Sequence, residues 1–473
     1  MRAIHGLLLL FLSLPAAAQG ASYDERLPIP VARALKAAGI PQSAVGVVVQ
    51  EVGTPLSRVS VNAAQAMNPA SVMKLYTTFA ALELLGPAYT WKTEALVATP
   101  PVAGTLDGNL YLRGSGDPKL TFEQFWLLLR QLRARGIKDI HGDLVLDRQA
   151  FAPIEHDEAA FDGKPLRPYN AGPDALLLNF KAVRVQLLVD GDHILALPEP
   201  APANLDIVNL LKPGGGGCGD WREALRADVS QHDGRYRVIL TGVYPVACGE
   251  QRWNLNVLPH AQYVLGVFRQ LWTELGGNFT GGVRDGSAPP TARTQANIES
   301  PTLAEVVRDI NKYSNNVMAR QLFLALGRDG GQPATTACAD ANLRAWLDTK
   351  ALRFPELVLD NGSGLSRRER SSADSLARLL GAAWKSAVMP ELMASLPLTA
   401  IDGTMRKRLK EGSVAGQAHI KTGSLEGVKS IAGFVLDKNG HLQIVVFLVN
   451  HPNAAAAQAA QDALLQWIYD RAA

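Results

Sequence analysis

Apolar residues recur with a helical period at Val72, Leu75, Tyr76, Phe79, Leu82 and Leu85, and the run stops at Gly86-Pro87. That spacing predicts one buried helix, with Pro69 and Ala70 ahead of it setting Ser71 in its first turn. Upstream, two apolar runs at residues 44–52 and 56–61 flank a Gly53-Thr-Pro turn and predict a β-hairpin. From about residue 89 the texture changes to short β-like runs at residues 94–98, 110–113, 142–147, 183–189 and 236–241. Turn-rich stretches interrupt them, including the Gly214 to Gly217 run and the proline-rich Leu197-Pro-Glu-Pro-Ala-Pro, and only residues 121–135 and 260–275 read as helices there. Helical periodicity returns at Leu303, Val306, Val307 and Ile310, and again at Val317, Met318, Leu322, Phe323 and Leu326. Near the end come three successive strands at residues 419–424, 429–436 and 442–449, the last two joined by a Lys438-Asn439-Gly440 turn, and then a helix at residues 454–469.

The first residues read as an export leader. Arg2 supplies the charge, residues 7–14 the apolar core and Ala16-Ala17-Ala18 a small-residue cleavage site, so residues 1–18 are expected to be removed near Ala18. That core is too short to span a bilayer, and no later run is long and apolar enough for a membrane helix, so the mature chain is expected in the periplasm without a membrane span. The net charge of +3, from 47 basic and 44 acidic residues without a basic tract, gives no reason to expect a nucleic-acid partner. Three cysteines suit an oxidising compartment. Cys218 and Cys248 both lie in turn-rich sequence and are expected to form a bridge worth about 3 kcal/mol, the alternative being two free thiols. No Gly-Lys-Ser/Thr follows the glycine run, which reads as a flexible loop rather than a phosphate cradle, and the histidines show no metal-ligand spacing. Neither a metal nor a cofactor is expected.

Candidate chemistry begins at Ser71. At about 3.6 residues per turn, Ser71 and Lys74 share one helix face, and a base within reach of a hydroxyl makes a nucleophile. Lys74 is the only lysine of the chain with a serine three residues before it. Ser314-Asn315-Asn316 falls between the two later helices, where short polar side chains cap helix ends or point into a cleft. Lys421-Thr422-Gly423-Ser424 lies on the first C-terminal strand, where Gly423 leaves the backbone open to close approach by an extended ligand.

Taken in order, Ser71-x-x-Lys74, Ser314-x-Asn316 and Lys421-Thr422-Gly423 resemble the three motifs of the serine penicillin-binding protein and β-lactamase superfamily. The gap of about 240 residues between the first two motifs exceeds a typical small domain. It is similar to that of the class C low-molecular-mass penicillin-binding proteins, the D-alanyl-D-alanine carboxypeptidase/endopeptidases with nested inserted domains. Asn109-Leu-Tyr-Leu-Arg-Gly-Ser-Gly-Asp-Pro, Gly142-Asp-Leu-Val-Leu-Asp and Asp360-Asn-Gly-Ser-Gly-Leu-Ser-Arg367 match that family too, so the resemblance spans nearly the whole mature chain.

The resemblance implies a mixed α/β (α+β) fold. A five-stranded antiparallel sheet flanked by helices would form from residues 19–88 and 298–473, interrupted by a β-rich insertion at residues 89–297 with a further domain nested at about 155–250. It also implies a DD-peptidase acting on D-Ala ends or cross-links of peptidoglycan stem peptides, with β-lactams as covalent inhibitors of the same serine. Ser71 would be the nucleophile, Lys74 its base, Ser314 the proton relay to the leaving amine, and Asn316 a holder of Lys74 and the substrate amide. Lys421 would attract the terminal carboxylate, helped by Thr422 and Ser424, and the backbone N–H groups of Ser71 and Ser424 would form the oxyanion hole. Arg367 is a candidate for binding the stem peptide and Asp162 for a diaminopimelate amine. Glu426 stands where some relatives carry an amide, and His419 reads as a bystander on the cleft rim. A β-lactamase or esterase of the same superfamily, and a wall-binding protein with an idle centre, are the competing readings. A homodimer and the role of the insertion are left open.

Overall fold

The computed structural model describes residues 26–54, 56–328 and 331–470; the leader read at residues 1–18 lies outside them. Five antiparallel strands form the central sheet in the order Ala418–Leu425, Val428–Leu436, Leu442–Asn450, Val45–Glu51 and Ser57–Val61. The N-terminal hairpin thus completes a sheet begun by three C-terminal strands. Successive side chains of a strand point to opposite faces, and here both faces are covered. Val48, Ile444, Val446 and Leu448 join a core with Phe79, Leu322 and Leu376 of the helices Lys74–Leu84, Asn316–Ala325 and Ala373–Trp384. Val45, Val47, Val445 and Phe447 join a second core with Val31 and Leu464, from the helices Ile29–Ala37 and Gln458–Asp470. Burial on both sides explains why Val45–Glu51 and Leu442–Asn450 are dominated by continuous apolar runs.

Between the hairpin and Leu303 the chain builds four further sheets. Strands Lys92–Val97, Leu110–Gly114, Leu144–Asp147, Val283–Asp285 and Arg293–Glu299 share one five-stranded sheet. Its strands Leu110–Gly114 and Leu144–Asp147, both from stretches that carried the resemblance, are tied by Arg113 to Asp147 at 2.9 Å. The helix Phe122–Ala134, capped reciprocally by Thr121 and Gln124, and the helix His260–Glu274 pack on the same core. Residues 183–255 supply two three-stranded sheets. The proline-rich stretch read as a turn is in part strand: Leu197-Pro-Glu ends the strand His193–Glu199. That strand lies at a sheet edge, where a proline forfeits no ladder hydrogen bond. Strands Leu205–Gly214 and Leu225–His232 carry no legible signal either, because the first is mostly half-exposed, the second mostly exposed, and both lack an apolar alternation.

Cys218 and Cys248 form the expected disulfide, while Cys338 is free and exposed. It closes a sequence separation of 30 residues beside Trp221, Tyr244 and Trp253. Reduction is expected to destabilise this part of the molecule by about 3 kcal/mol, read as a lowered unfolding midpoint of the reduced, alkylated protein against the oxidised one. An unchanged midpoint would remove the bridge from the stability of these strands.

Candidate active site

The turn that carries Ser71 is tighter than a helical first turn. Residues Ala70–Met73 form a 3₁₀ turn, and the α-helix begins only at Lys74. Ala70 adopts φ +47°, a left-handed conformation costly for a residue with a Cβ. Its amide donates to the Asn68 side chain at 2.9 Å, and the Asn68 amide in turn donates to the Ser366 carbonyl at 2.8 Å. Gly364, at φ +79°, passes so close to Ala70 that a Cβ there would fall 2.0 Å from the Ala70 carbonyl oxygen. The stretch 360–366 therefore clamps the Ser71 turn from outside.

Lys74 is fully buried, yet no carboxylate among the described residues touches its amine. Nζ donates to Ser71 Oγ at 3.0 Å, to Asn316 Oδ1 at 2.5 Å and to the Ser363 carbonyl. Burial, reinforced by the nearby Lys421 charge, holds the Lys74 pKa well below that of an ordinary lysine, with Glu369 opposing and Arg320 assisting. A desolvated amine against a serine hydroxyl is the arrangement that activates an oxygen nucleophile.

Ser314 and Asn316 reach this centre because Asn315 takes the capping duty. Ser314, at φ +55°, ends the helix Leu303–Tyr313, and the Asn315 side chain accepts from Met318 N at the start of the helix Asn316–Ala325. The flanking side chains are thereby free to face the cleft. Ser314 Oγ accepts from Lys421 Nζ at 2.8 Å, so a chain of short contacts joins Ser71 to Lys74 and Asn316, and Ser314 to Lys421. Lys421, also fully buried, donates its other bond to the Thr422 carbonyl, and burial pushes its pKa down to about 7.

Gly423 allows a close approach, but the neighbour that needs it is the chain's own nucleophile turn. A Cβ on Gly423 would stand 2.2 Å from Ser430 Oγ, 2.8 Å from the Pro69 carbonyl oxygen and 2.9 Å from Ser71 N. Gly423→Ala is expected to cost about 1–3 kcal/mol through overpacking and to slow acylation roughly a hundredfold by displacing Ser71. Stopped-flow acylation by a labelled penicillin and thermal unfolding would measure both, and an acylation rate within threefold of the parent would refute the clamp.

Other candidates lie further out. The Arg367 guanidinium donates to the Glu426 carbonyl at 2.9 Å, meets the Glu426 carboxylate at 3.4 Å and lies 5.0 Å over the Phe161 ring. Arg367 and Glu426 are thus each other's partners, and the arginine joins the end of the Lys421 strand to Phe161. Asp162 accepts from Tyr169 Oη at 2.7 Å and Asn170 Nδ2 at 2.8 Å; although partial burial works against its charge, these donors hold its pKa below the usual carboxylate value. His419 is turned toward Met393 and Leu396, outside the Ser71–Lys74–Asn316 contacts. Thr422 Oγ1 donates to Thr404 Oγ1 at 2.7 Å, and Ser424 is exposed on the same strand.

Three contributors escaped the sequence. Ser363 acts through its carbonyl, so its side-chain type carries no signal, although it sits in the matched stretch 360–367. Thr404 lies in an unremarkable turn. Glu369 sits in Arg-Arg-Glu-Arg, which reads as a solvated charge run. It is fully buried, and its Oε1 accepts from the backbone N–H groups of Asp360, Asn361 and Gly362, the start of the clamp.

Comparison with known proteins gives the family. The chain is 27% identical over 402 residues to D-alanyl-D-alanine carboxypeptidase DacB of Haemophilus influenzae, covering 82% of this chain and 81% of that protein. It is also 27% identical over 436 residues to a D-alanyl-D-alanine carboxypeptidase of Actinomadura sp. (strain R39), covering 89% and 80%. The crystal structure of penicillin binding protein 4 (dacB) from H. influenzae superposes with a TM-score of 0.76 at 24% identity, covering 93% of this chain and all of the other. The same protein complexed with a novel β-lactam gives 0.73 at 25%, covering 94% and 100%. The sequence profile of one peptidase family matches residues 28–470, nearly the whole described chain. With the mixed sheet-and-helix fold and the ordered motifs, that match establishes that the chain belongs to the D-Ala-D-Ala carboxypeptidase 3 (S13) family.

Proposed function

We propose that Ser71 attacks the carbonyl of a D-Ala-D-X peptide bond in peptidoglycan stem peptides, releasing the D-X amine, and that water then hydrolyses the acyl-enzyme. The observation that carries this reading is the buried Lys74 amine 3.0 Å from Ser71 Oγ, with no carboxylate among the described residues to hold its proton. Lys74 takes the hydroxyl proton, Ser314 passes a proton to the leaving nitrogen, and Asn316 orients Lys74 and the substrate amide. Lys421, Thr422 and Ser424 receive the terminal carboxylate, and the N–H groups of Ser71 and Ser424 stabilise the oxyanion, a contribution of about 3 kcal/mol per donor. The reading extends to export into the periplasm after removal of residues 1–18. It also holds that residues 89–297 form an inserted unit with a domain nested at about 155–250, and it includes both carboxypeptidase and endopeptidase activity. β-Lactams, which present an amide and a carboxylate in the same places, acylate the same serine. That a relative was solved with a β-lactam bound supports this.

The deciding experiment incubates the mature protein with a labelled penicillin and, separately, with a D-Ala-D-Ala-ended pentapeptide. A long-lived adduct together with D-Ala release is expected. Rapid turnover of the drug would replace this reading with a β-lactamase, and no adduct at all would leave a wall-binding protein with an idle centre.

A further inference from the structure

A cavity of about 450 Å³ opens from Ser314 and Asn316 and runs between the catalytic helices and the insert. Its far wall carries three guanidinium groups, Arg167, Arg222 and Arg252. Arg167 is shared with Glu223, at 3.3 Å. Arg222 lies 4.3 Å over the Trp221 ring and donates to the Arg252 carbonyl, and no carboxylate among the described residues pairs with either Arg222 or Arg252. None of the residues lining the cavity is acidic, and Tyr169 of the wall donates to Asp162 at 2.7 Å. Three positive charges therefore face one shared carboxylate, an excess that calls for an anion. Guanidinium forks bind carboxylates in pairs of parallel hydrogen bonds, which suits this wall.

The shape of the wall selects the kind of anion. Arg252 and Trp253 belong to the strand Gln251–Leu255, which pairs on one side with Val183–Asp190 and otherwise lies at its sheet's edge. An edge strand offers unpaired backbone groups to an extended peptide. Tyr313, 66% exposed beside Ser314, adds an open aromatic face at the mouth.

We propose that this cavity is a subsite for the second stem peptide of a cross-link, the strand that hangs from the leaving nitrogen, with Arg222 and Arg252 holding one of its free carboxylates. The inference rests on the DD-peptidase reading, in which Ser314 serves the leaving amine and therefore stands at the entrance. A single pentapeptide, whose leaving group is one D-alanine, does not reach Arg252. A cross-linked dimer does. Arg222 and Arg252 are thus specificity determinants for cutting cross-links, outside the chemistry itself.

The test compares the mature protein with the Arg222→Ala/Arg252→Ala double variant on three substrates: a D-Ala-D-Ala-ended pentapeptide, a cross-linked stem-peptide dimer, and the same dimer with the carboxylates of its leaving strand amidated. Labelled penicillin counts active sites in each preparation. The expected result is a ratio of kcat/KM for the dimer over that for the pentapeptide at least tenfold lower in the variant, mainly through KM, with the two proteins equal on the amidated dimer. An unchanged ratio, or an equal loss on the amidated dimer, overturns the subsite. A parent protein that releases D-Ala but leaves the dimer intact overturns it too while the DD-peptidase reading stands; a parent that cleaves neither substrate overturns both.

Discussion

Ser71→Ala is expected to abolish the labelled-penicillin adduct and to lower D-Ala release at least about ten-thousandfold. The reason is covalent: the surrounding amine, amide and hydroxyl groups orient and polarise a substrate, but among the described residues no other hydroxyl accepts a hydrogen bond from Lys74. The fold should survive, because Lys74 keeps Asn316 and the Ser363 carbonyl as acceptors and the turn is held by Asn68 and Gly364. The stability change should stay near 1 kcal/mol, the scale of one hydrogen bond. Intact-protein mass spectrometry and a coupled D-Ala assay would check the first part, thermal unfolding the second. Residual acylation within tenfold of the parent, or an adduct mapped to another residue, would remove Ser71 from its assigned role.

The second large effect concerns the proton on Lys74. As a base, Lys74 must be neutral, whereas Lys421 must be charged to draw in a carboxylate. Burial first, and the Lys421 charge second, push Lys74 down, and burial brings Lys421 to about 7. Acylation should therefore rise with pH as Lys74 loses its proton and fall again as Lys421 loses its own, giving a bell-shaped profile. Two substitutions move the acid limb in opposite directions. Lys421→Met removes a neighbouring cation, so Lys74 holds its proton longer and the limb moves to higher pH. Burial raises the Glu369 carboxyl's own pKa; above that range Glu369→Gln removes the anion that favours the charged amine, so the limb moves to lower pH, while the amide oxygen still accepts from residues 360–362. Lys74→Arg, permanently protonated, should lose at least about a thousandfold. Rapid-mixing acylation rates between pH 4 and pH 10 would decide, and limbs that shift in the same direction for both variants would refute the assignment of the limb to Lys74.

Much of the sheet was legible because its signals are local. The hairpin, the three C-terminal strands and the helices at residues 122–134, 260–274 and 303–325 follow from apolar periodicity and turn residues that neighbours in sequence dictate. The edge strands Leu205–Gly214 and Leu225–His232 left no such trace, since half-exposed and exposed positions do not need an apolar alternation. The helix Ile29–Ala37 and those between residues 336 and 395 were not read from the pattern, although all of them contribute to the cores around the sheet. At the site, motif spacing named the side chains that meet, but the 3₁₀ geometry under Ser71 and the left-handed Ala70 depend on residues about 300 positions away, in the stretch 360–366.

By itself, then, the sequence determined which residue types were available for the chemistry, the elements they ride on and the family they resemble, because motifs and periodicity are written over short spans. Tertiary structure alone decided their state. Charge and desolvation act through space, so only the packed molecule could bury Lys74 and Lys421 side by side, sink Glu369 beneath the clamp although it sits in a charged run, and assign Gly423 to the approach of Ser71.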